Sequence, residues 1–202
     1  MHMDELHNYS LKDNPLTTFK EWFDAALKIE VNAEAMAVST YDEDKKRPNT
    51  RYLLFKGIEN NKIVFYTNYG SPKSKELEKN PEIALAFYWH ESKKQVRIHG
   101  KVTKMDRTAS GRYFHSRDRD SQLASYISSQ SSPIADKQSL IDKFEVAKTK
   151  FEGIDIPLPE KWGGFLVEPY EYEFFLYGAN RLNDRFLYEN INNIWKISRL
   201  QP

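Results

Sequence analysis

Residues 111–132 read GRYFHSRDRDSQLASYISSQSS, and within them Tyr113, Arg117 and Ser121 follow one another at intervals of four. On a single helix that spacing would set a phenol, a guanidinium and an alcohol on one face. Such a donor set suits a monophosphate. The alternative is a solvated helix face carrying ion pairs between its arginines and aspartates, the commoner fate of a charge run.

Three other stretches concentrate cations and hydrogen-bonding groups among aromatics. In RYLLFK, Arg51 and Lys56 bracket an apolar strand; five residues apart, they point to opposite faces and could serve two anions or one edge each. In FYTNYGSPKSKE, Tyr66 and Thr67 end a strand while Ser71 and Lys73 open a helix. That junction can offer backbone N–H groups, a hydroxyl and an ammonium to one phosphate. In RLNDRF, Arg181, Asn183 and Arg185 alternate, so on a strand all three project the same way. Like charges on one face repel unless something anionic or planar lies over them. Taken singly, each stretch is also compatible with ordinary surface structure. Paired catalytic carboxylates are absent, and the five histidines show no metal-ligand spacing, so no metal site is expected.

The 202 residues suffice for one domain with an ample core. Thirty Lys and Arg nearly balance 29 Asp and Glu, which argues against a nucleic-acid partner, so any bound anion must be small and held locally. The absence of cysteine excludes disulfides and thiolate chemistry. With no signal-like N-terminus and no run of about 18 apolar residues, the expectation is a cytoplasmic protein with no membrane partner.

The elements that must position these residues follow from local signals. Asn14 and Pro15 are an N-cap and a first-turn proline before an amphipathic helix. From Ala35 short β-rich runs follow: AMAVSTY, RYLLFKGIE, KIVFYTN, IALAFYWH and KQVRIHGKVTKM, with ENNK a hairpin turn. A helix opens at Ser71-Pro72 and stops at Asn80-Pro81, and further helices are predicted over roughly 106–115, 119–129 and 136–152. WGGFLVEPYEYEFFLYG and RFLYENINNIWKISRL read as closing strands. Strands interrupted by helices, without regular β-α alternation or a dinucleotide-binding glycine loop, predict a mainly β fold: a largely antiparallel barrel with attached helices. Residues 1–14 are expected to be a flexible extension and 15–202 a single domain.

In their order along the chain, RYLLFK, FYTN..S.K, QV.I.GK, YFHSR.RDSQ, S.QSS, the WGGF segment, EF......RLNDRFLY and WKI.RL.P resemble the pyridoxine (pyridoxamine) 5′-phosphate oxidase family. The resemblance runs from about Pro15 to Pro202. It implies a homodimeric split β-barrel binding FMN at the subunit interface. It assigns FMN to Arg51, Tyr52, Leu53, Leu54, Phe55, Lys56, Tyr66, Thr67, Lys73, Gln95, Gln130, Ser131, Phe175 and Arg185. Arg51 and Lys73 would neutralise the phosphate. The substrate phosphate falls to Lys56, Tyr113, Arg117 and Ser121, with the neighbouring aspartates orienting the arginines. Arg181 and Asn183 are the catalytic candidates, closing over the pyridine ring.

The reaction so implied oxidises pyridoxamine or pyridoxine 5′-phosphate to pyridoxal 5′-phosphate by hydride transfer to the flavin, with dioxygen reduced to hydrogen peroxide. The chain departs from the family at Pro72, where an arginine is usual, at Phe175, where a tryptophan is usual, and at Asn183, more often histidine. The N-terminal arm is short, with Tyr9 the nearest candidate to cover substrate. A phenazine-type oxidase on the same fold, or a flavin or pyridoxal-phosphate binding protein without turnover, are the alternatives; the phosphate clamp argues against the first.

Overall fold

The structure, a computed structural model, describes residues 11–202. Tyr9 and the rest of 1–10 lie outside the described residues. The remainder of the expected extension is packed: Leu11 is buried, Lys12 N–H donates to Thr18 Oγ1, and Lys12 O accepts from Tyr188 Oη.

Helix α1 (Pro15–Ala26) starts where Asn14 accepts from Leu16 N–H at 2.9 Å, with proline in the first turn. Its apolar stripe, Leu16, Phe19, Trp22 and Ala26, is buried. Phe19 meets Phe55 edge-on at 5.4 Å and Phe87 at 5.1 Å, so the helix seals one end of an aromatic core.

The strands are β1 (Ala35–Asp42), β2 (Arg47–Leu54), β3 (Ile58–Glu59), β4 (Lys62–Asn68), β5 (Glu82–Trp89), β6 (Lys94–Lys104), β7 (Trp162–Leu176), β8 (Asp184–Ile191) and β9 (Ile194–Leu200). They form one antiparallel sheet in the order β2-β1-β5-β6-β7-β4-β3, with β8 added to the far half of β7 and β9 to β8. The fifteen-residue β7 pairs with β4 near its start and β8 near its end, which splits the sheet.

RYLLFKGIE was predicted as one strand and is two. After Leu54 the Lys56 N–H donates to Val64 O, and Val64 N–H donates to Gly57 O, so the β2 edge meets β4 and the barrel closes. Gly57 sits at φ 109°, a conformation that side-chain-bearing residues rarely adopt. Two hairpins turn on Asn pairs: Asn60-Asn61 between Glu59 and Lys62, and Asn192-Asn193 between Ile191 and Ile194. All four asparagines have positive φ, as the tight two-residue turn requires and Asn tolerates.

The helices are α2 (Pro72–Lys79), α3 (Arg107–Ser116), α4 (Arg119–Ile127) and α5 (Lys137–Lys150). A second core of Phe114, Leu123, Ala147, Phe151, Ile156 and Trp162 binds α3, α4 and α5 to the start of β7. Phe114 and Leu123 are wholly buried there, each worth roughly 1.5–3 kcal/mol. This cluster holds the helical wall against the barrel.

Candidate functional site

Between that wall and the barrel lies a cleft of about 660 Å³, and beside it a second of about 500 Å³. The first is lined by Leu54, Lys56, Tyr66, Tyr113, Arg117 and Ser121 among others; the second by Arg51, Pro72, Lys73, Glu76 and Ser131. Tyr52, Leu53 and Gln130 line both, so the two form one groove. Arg51 and Lys56 therefore line different ends of it.

At the smaller end Lys73 Nζ donates to Gln130 Oε1 at 2.7 Å, Ser71 Oγ at 3.0 Å and Thr67 Oγ1 at 3.1 Å. All three partners are neutral, and Lys73 is only 6% exposed. Burial, and then the Arg51 guanidinium, lower its pKa to about 8, with Glu76 acting in the opposite direction. Ser71 is the N-cap residue of α2, but its hydroxyl serves Lys73 and Ser74 rather than capping the helix. The 128–131 loop is tied down by Thr67 Oγ1 donating to Gln130 Oε1 and by Asn68 Nδ2 donating to Ser128 O.

At the larger end Tyr66 stacks on Tyr113 at 3.8 Å and on Trp162 at 5.3 Å, while the Arg117 guanidinium lies 5.1 Å from the Trp162 ring. Burial, then the neighbouring Tyr113 phenol, push the Tyr66 hydroxyl up to about 12, and burial also raises Tyr113. Both phenols stay protonated at neutral pH. Arg117 Nη1 donates to Ser125 Oγ at 2.8 Å.

Three expectations need correction. Tyr113, Arg117 and Ser121 do not share one helix: α3 ends at Ser116, Arg117 is extended at ψ 157°, and α4 begins after Asp118. They still line the same cleft, and the break between the two helices is set by Asp118, whose carboxylate caps α4 at Ser121 N–H. Nor do the aspartates orient the arginines: Asp118 serves that cap, while Arg119 donates to Phe151 O and Ile154 O and so pins the chain after α5.

RLNDR is not a strand. Ala179–Arg181 is a short 3₁₀ turn with Asn180 and Arg181 at positive φ, and pairing starts only at Asp184. Asn183 Oδ1 accepts from Gly178 N–H at 3.0 Å and closes the loop, and a Cβ at Gly178 would lie 2.1 Å from Leu182 O. Arg181, Asn183 and Arg185 therefore do not share a strand face.

Six expected residues do not line the groove. Gln95, Phe175 and Arg185 are cross-strand neighbours in one row over β6, β7 and β8, on the sheet face opposite the core residues Val96, Phe174 and Phe186. Arg181 and Asn183 stand beside that row in the exposed loop. Phe55, the sixth, turns its ring into the core. Sequence reasoning missed Trp162 and Glu76; the first signal was an aromatic immediately before Gly163-Gly164, the second an acid three residues after Lys73 on α2.

The chain is thus a split antiparallel barrel whose groove carries cations at both ends, between strand ends and helix starts. Residues 23–151 match the family described as pyridoxamine 5′-phosphate oxidase, and residues 162–202 match the pyridoxine 5′-phosphate oxidase C-terminal dimerisation region. The chain belongs to the pyridoxamine 5′-phosphate oxidase family. It is 41% identical over 198 residues to the pyridoxine/pyridoxamine 5′-phosphate oxidase of Escherichia fergusonii, covering 98% of this chain and 90% of that one. It is 42% identical over 190 residues to the protein of the same name from Leptospira biflexa, covering 94% and 89%.

Among solved structures, PhzG from Burkholderia lata in complex with tetrahydrophenazine-1-carboxylic acid superposes with a TM-score of 0.89 at 28% identity, covering 95% of this chain and 94% of that one. A pyridoxamine 5′-phosphate oxidase-related, FMN-binding protein from Nostoc punctiforme shares the fold at a TM-score of 0.77 and 17% identity, covering 94% and 98%. Among the described residues no helix is long and apolar enough to cross a membrane.

Proposed function

We propose that this chain is an FMN-dependent oxidase that converts pyridoxamine 5′-phosphate or pyridoxine 5′-phosphate to pyridoxal 5′-phosphate, with dioxygen reduced to hydrogen peroxide. The observation that carries the reading is a single groove with a separate cationic cradle at each end, one around Lys73 and one around Arg117. A buried ammonium whose hydrogen-bond partners are neutral suits a phosphate, and the smaller cradle fits that of FMN. Arg51, Lys73, Thr67, Gln130 and Ser131 would hold it, with the Tyr52–Leu54 strand along its length. When bound, FMN supplies the hydride acceptor and the route of electrons to dioxygen.

The larger cradle supplies Lys56, Tyr113, Arg117 and Ser121 for the substrate phosphate. A protonated Tyr113 phenol donates there, and the stack of Tyr66, Tyr113 and Trp162 gives that end a rigid wall. Asp118 is the one carboxylate in its lining, and it caps α4. The protein's part is thus alignment and charge rather than acid–base work.

The chain acts as a homodimer in this reading. Gln95, Phe175, Arg185, Arg181 and Asn183 lie outside the groove, so a second copy must bring its own row over it. The outer sheet face suits such a contact: Tyr52, Ala37, Ala86, Arg97, Glu173 and Leu187 form one cross-strand row, and Tyr52 is 77% exposed. The match to a dimerisation region supports the same conclusion.

The likeness to a phenazine-binding protein favours a second reading, an oxidase of the same fold acting on a larger, phosphate-free ring. One experiment separates them. The purified protein is incubated with FMN and pyridoxamine 5′-phosphate, or its unphosphorylated form, while peroxide and the aldehyde absorbance are recorded. Turnover dependent on the phosphate supports the oxidase; equal turnover without it, or none with either, overturns it. Mass spectrometry of the released chromophore and sedimentation check FMN and the dimer.

A further inference from the structure

Glu76 stands at the smaller cradle, and nothing in the proposed reaction uses it. On α2 it follows Lys73 by three residues, so both side chains leave the same side of the helix, and both are buried. Its carboxylate accepts from Asn49 Nδ2 at 2.8 Å, from Arg51 Nη2 at 3.4 Å and from the Thr40 hydroxyl. Arg51 Nη1 in turn donates to Thr40 Oγ1 at 2.5 Å and to Val38 O at 3.3 Å. The guanidinium is thus engaged by α2 and β1, whereas the Lys73 ammonium has no carboxylate partner.

A buried carboxylate beside an anion site opposes the anion. One buried cation, Lys73, one half-buried cation, Arg51, and the buried Glu76 carboxylate leave one net positive charge in this cradle. Lys45 and Arg47 at the rim are exposed and more strongly screened, and Lys45 pairs with Asp42 at 3.5 Å. Pro72 adds no charge at the first position of α2. Without a ligand the same carboxylate is useful, because it compensates the repulsion between Arg51 and Lys73.

We propose that Glu76 sets the affinity of this cradle: by engaging Arg51 it stabilises the ligand-free groove and weakens the hold on the FMN phosphate. The inference rests on the assignment of that phosphate to Lys73 and Arg51. Glu76 does not touch the ligand; it is a positioning residue acting through Arg51 and through charge. A residue with a merely structural role would hold FMN and riboflavin alike, and its loss would weaken both.

The test uses the full chain freed of flavin, at pH 7, titrated with FMN and with riboflavin while flavin fluorescence is followed. Glu76→Gln keeps acceptor and shape but removes the charge. It is expected to lower the Kd for FMN roughly tenfold, to leave riboflavin unchanged, and to lower the Tm of the flavin-free protein. An unchanged or raised Kd for FMN, or an equal change for riboflavin, overturns the inference. Pro72→Arg, which adds a cation without touching the Glu76 network, is the second variant. It should also tighten FMN and not riboflavin, and an unchanged Kd there overturns the charge limit even if Glu76→Gln fails to fold. Lys73→Ala separates the two levels. If it leaves FMN binding intact, the phosphate assignment itself fails; if it weakens FMN while neither charge variant tightens it, only this inference falls.

Discussion

The groove and the outer sheet face hold their charges in different ways. In the groove, Lys73 is buried among neutral oxygens and Arg117 lies over an aromatic ring. On the outer face Arg185 donates to Glu173 at 2.8 Å, and Arg97 pairs with the same carboxylate, which is 6% exposed. Among the described residues Lys73 and Arg117 make no ion pair with a carboxylate, while Arg97 and Arg185 of the face are already matched across strands. Most of the residues expected at the site therefore line one groove of a single chain. The rest lie on a fixed surface whose use depends on what lies against it.

The sharpest way to break that contrast is Lys73→Ala. Removing the buried ammonium should cost about 3 kcal/mol of FMN binding, over a hundredfold in Kd by flavin fluorescence. The same group should give the wild type a pH dependence. A phosphate bound there would raise the pKa of Lys73 from its free value of about 8, so the ammonium's contribution to affinity should be full below about pH 8 and fall as the pH rises above it. A flat titration from pH 6 to 10 would show that Lys73 does not meet the phosphate.

Arg117→Ala should raise KM for the phosphorylated substrate by about 2 kcal/mol, some thirtyfold, with FMN content retained. Equal loss of flavin would show that the two cradles have been exchanged. On the outer face the comparable change is Glu173→Gln. Burial pushes that carboxyl up, but hydrogen bonds from Arg185 and Arg97 outweigh it and hold the group below the ordinary carboxylate range. Its stabilisation is present above the unfolded value and is lost as the pH falls through the lower folded one. The variant should lose about 1 kcal/mol at neutral pH, seen as a lower Tm, and the loss should shrink as the pH falls below the ordinary carboxylate range. A deficit that persists in acid would place the cause in packing. The smallest effect is expected at Asn183→Ala, about 0.5 kcal/mol, because the bond to Gly178 N–H is exposed. Reduced turnover with unchanged Tm and flavin would support a role over the substrate, and wild-type turnover would remove it.

Much of this molecule follows from short-range chemistry. Asn14-Pro15 had to start a helix, Asn60-Asn61 and Asn192-Asn193 had to turn hairpins, and the alternation in IALAFYWH had to bury one face. The residue types of the groove were legible for the same reason: phosphate needs cations and hydroxyls, and these cluster in only a few stretches.

What failed was local periodicity carried across a break. Tyr113, Arg117 and Ser121 have helical spacing, yet an aspartate cap two residues after Ser116 starts a new helix. Arg181 and Asn183 alternate like strand residues, yet positive φ and the Asn183–Gly178 bond make them a loop. The sequence by itself determined the strands, the turns, the helix starts and which side chains could meet a phosphate, because caps, alternation and donor chemistry act over a few residues. Tertiary structure alone decided that Lys73 is buried without a carboxylate partner, that Glu76 takes Arg51, that Trp162 joins Tyr66 and Tyr113, and that Gln95, Phe175 and Arg185 share a row away from the groove. Those facts depend on contacts between strands and helices distant in the chain, which no local pattern encodes.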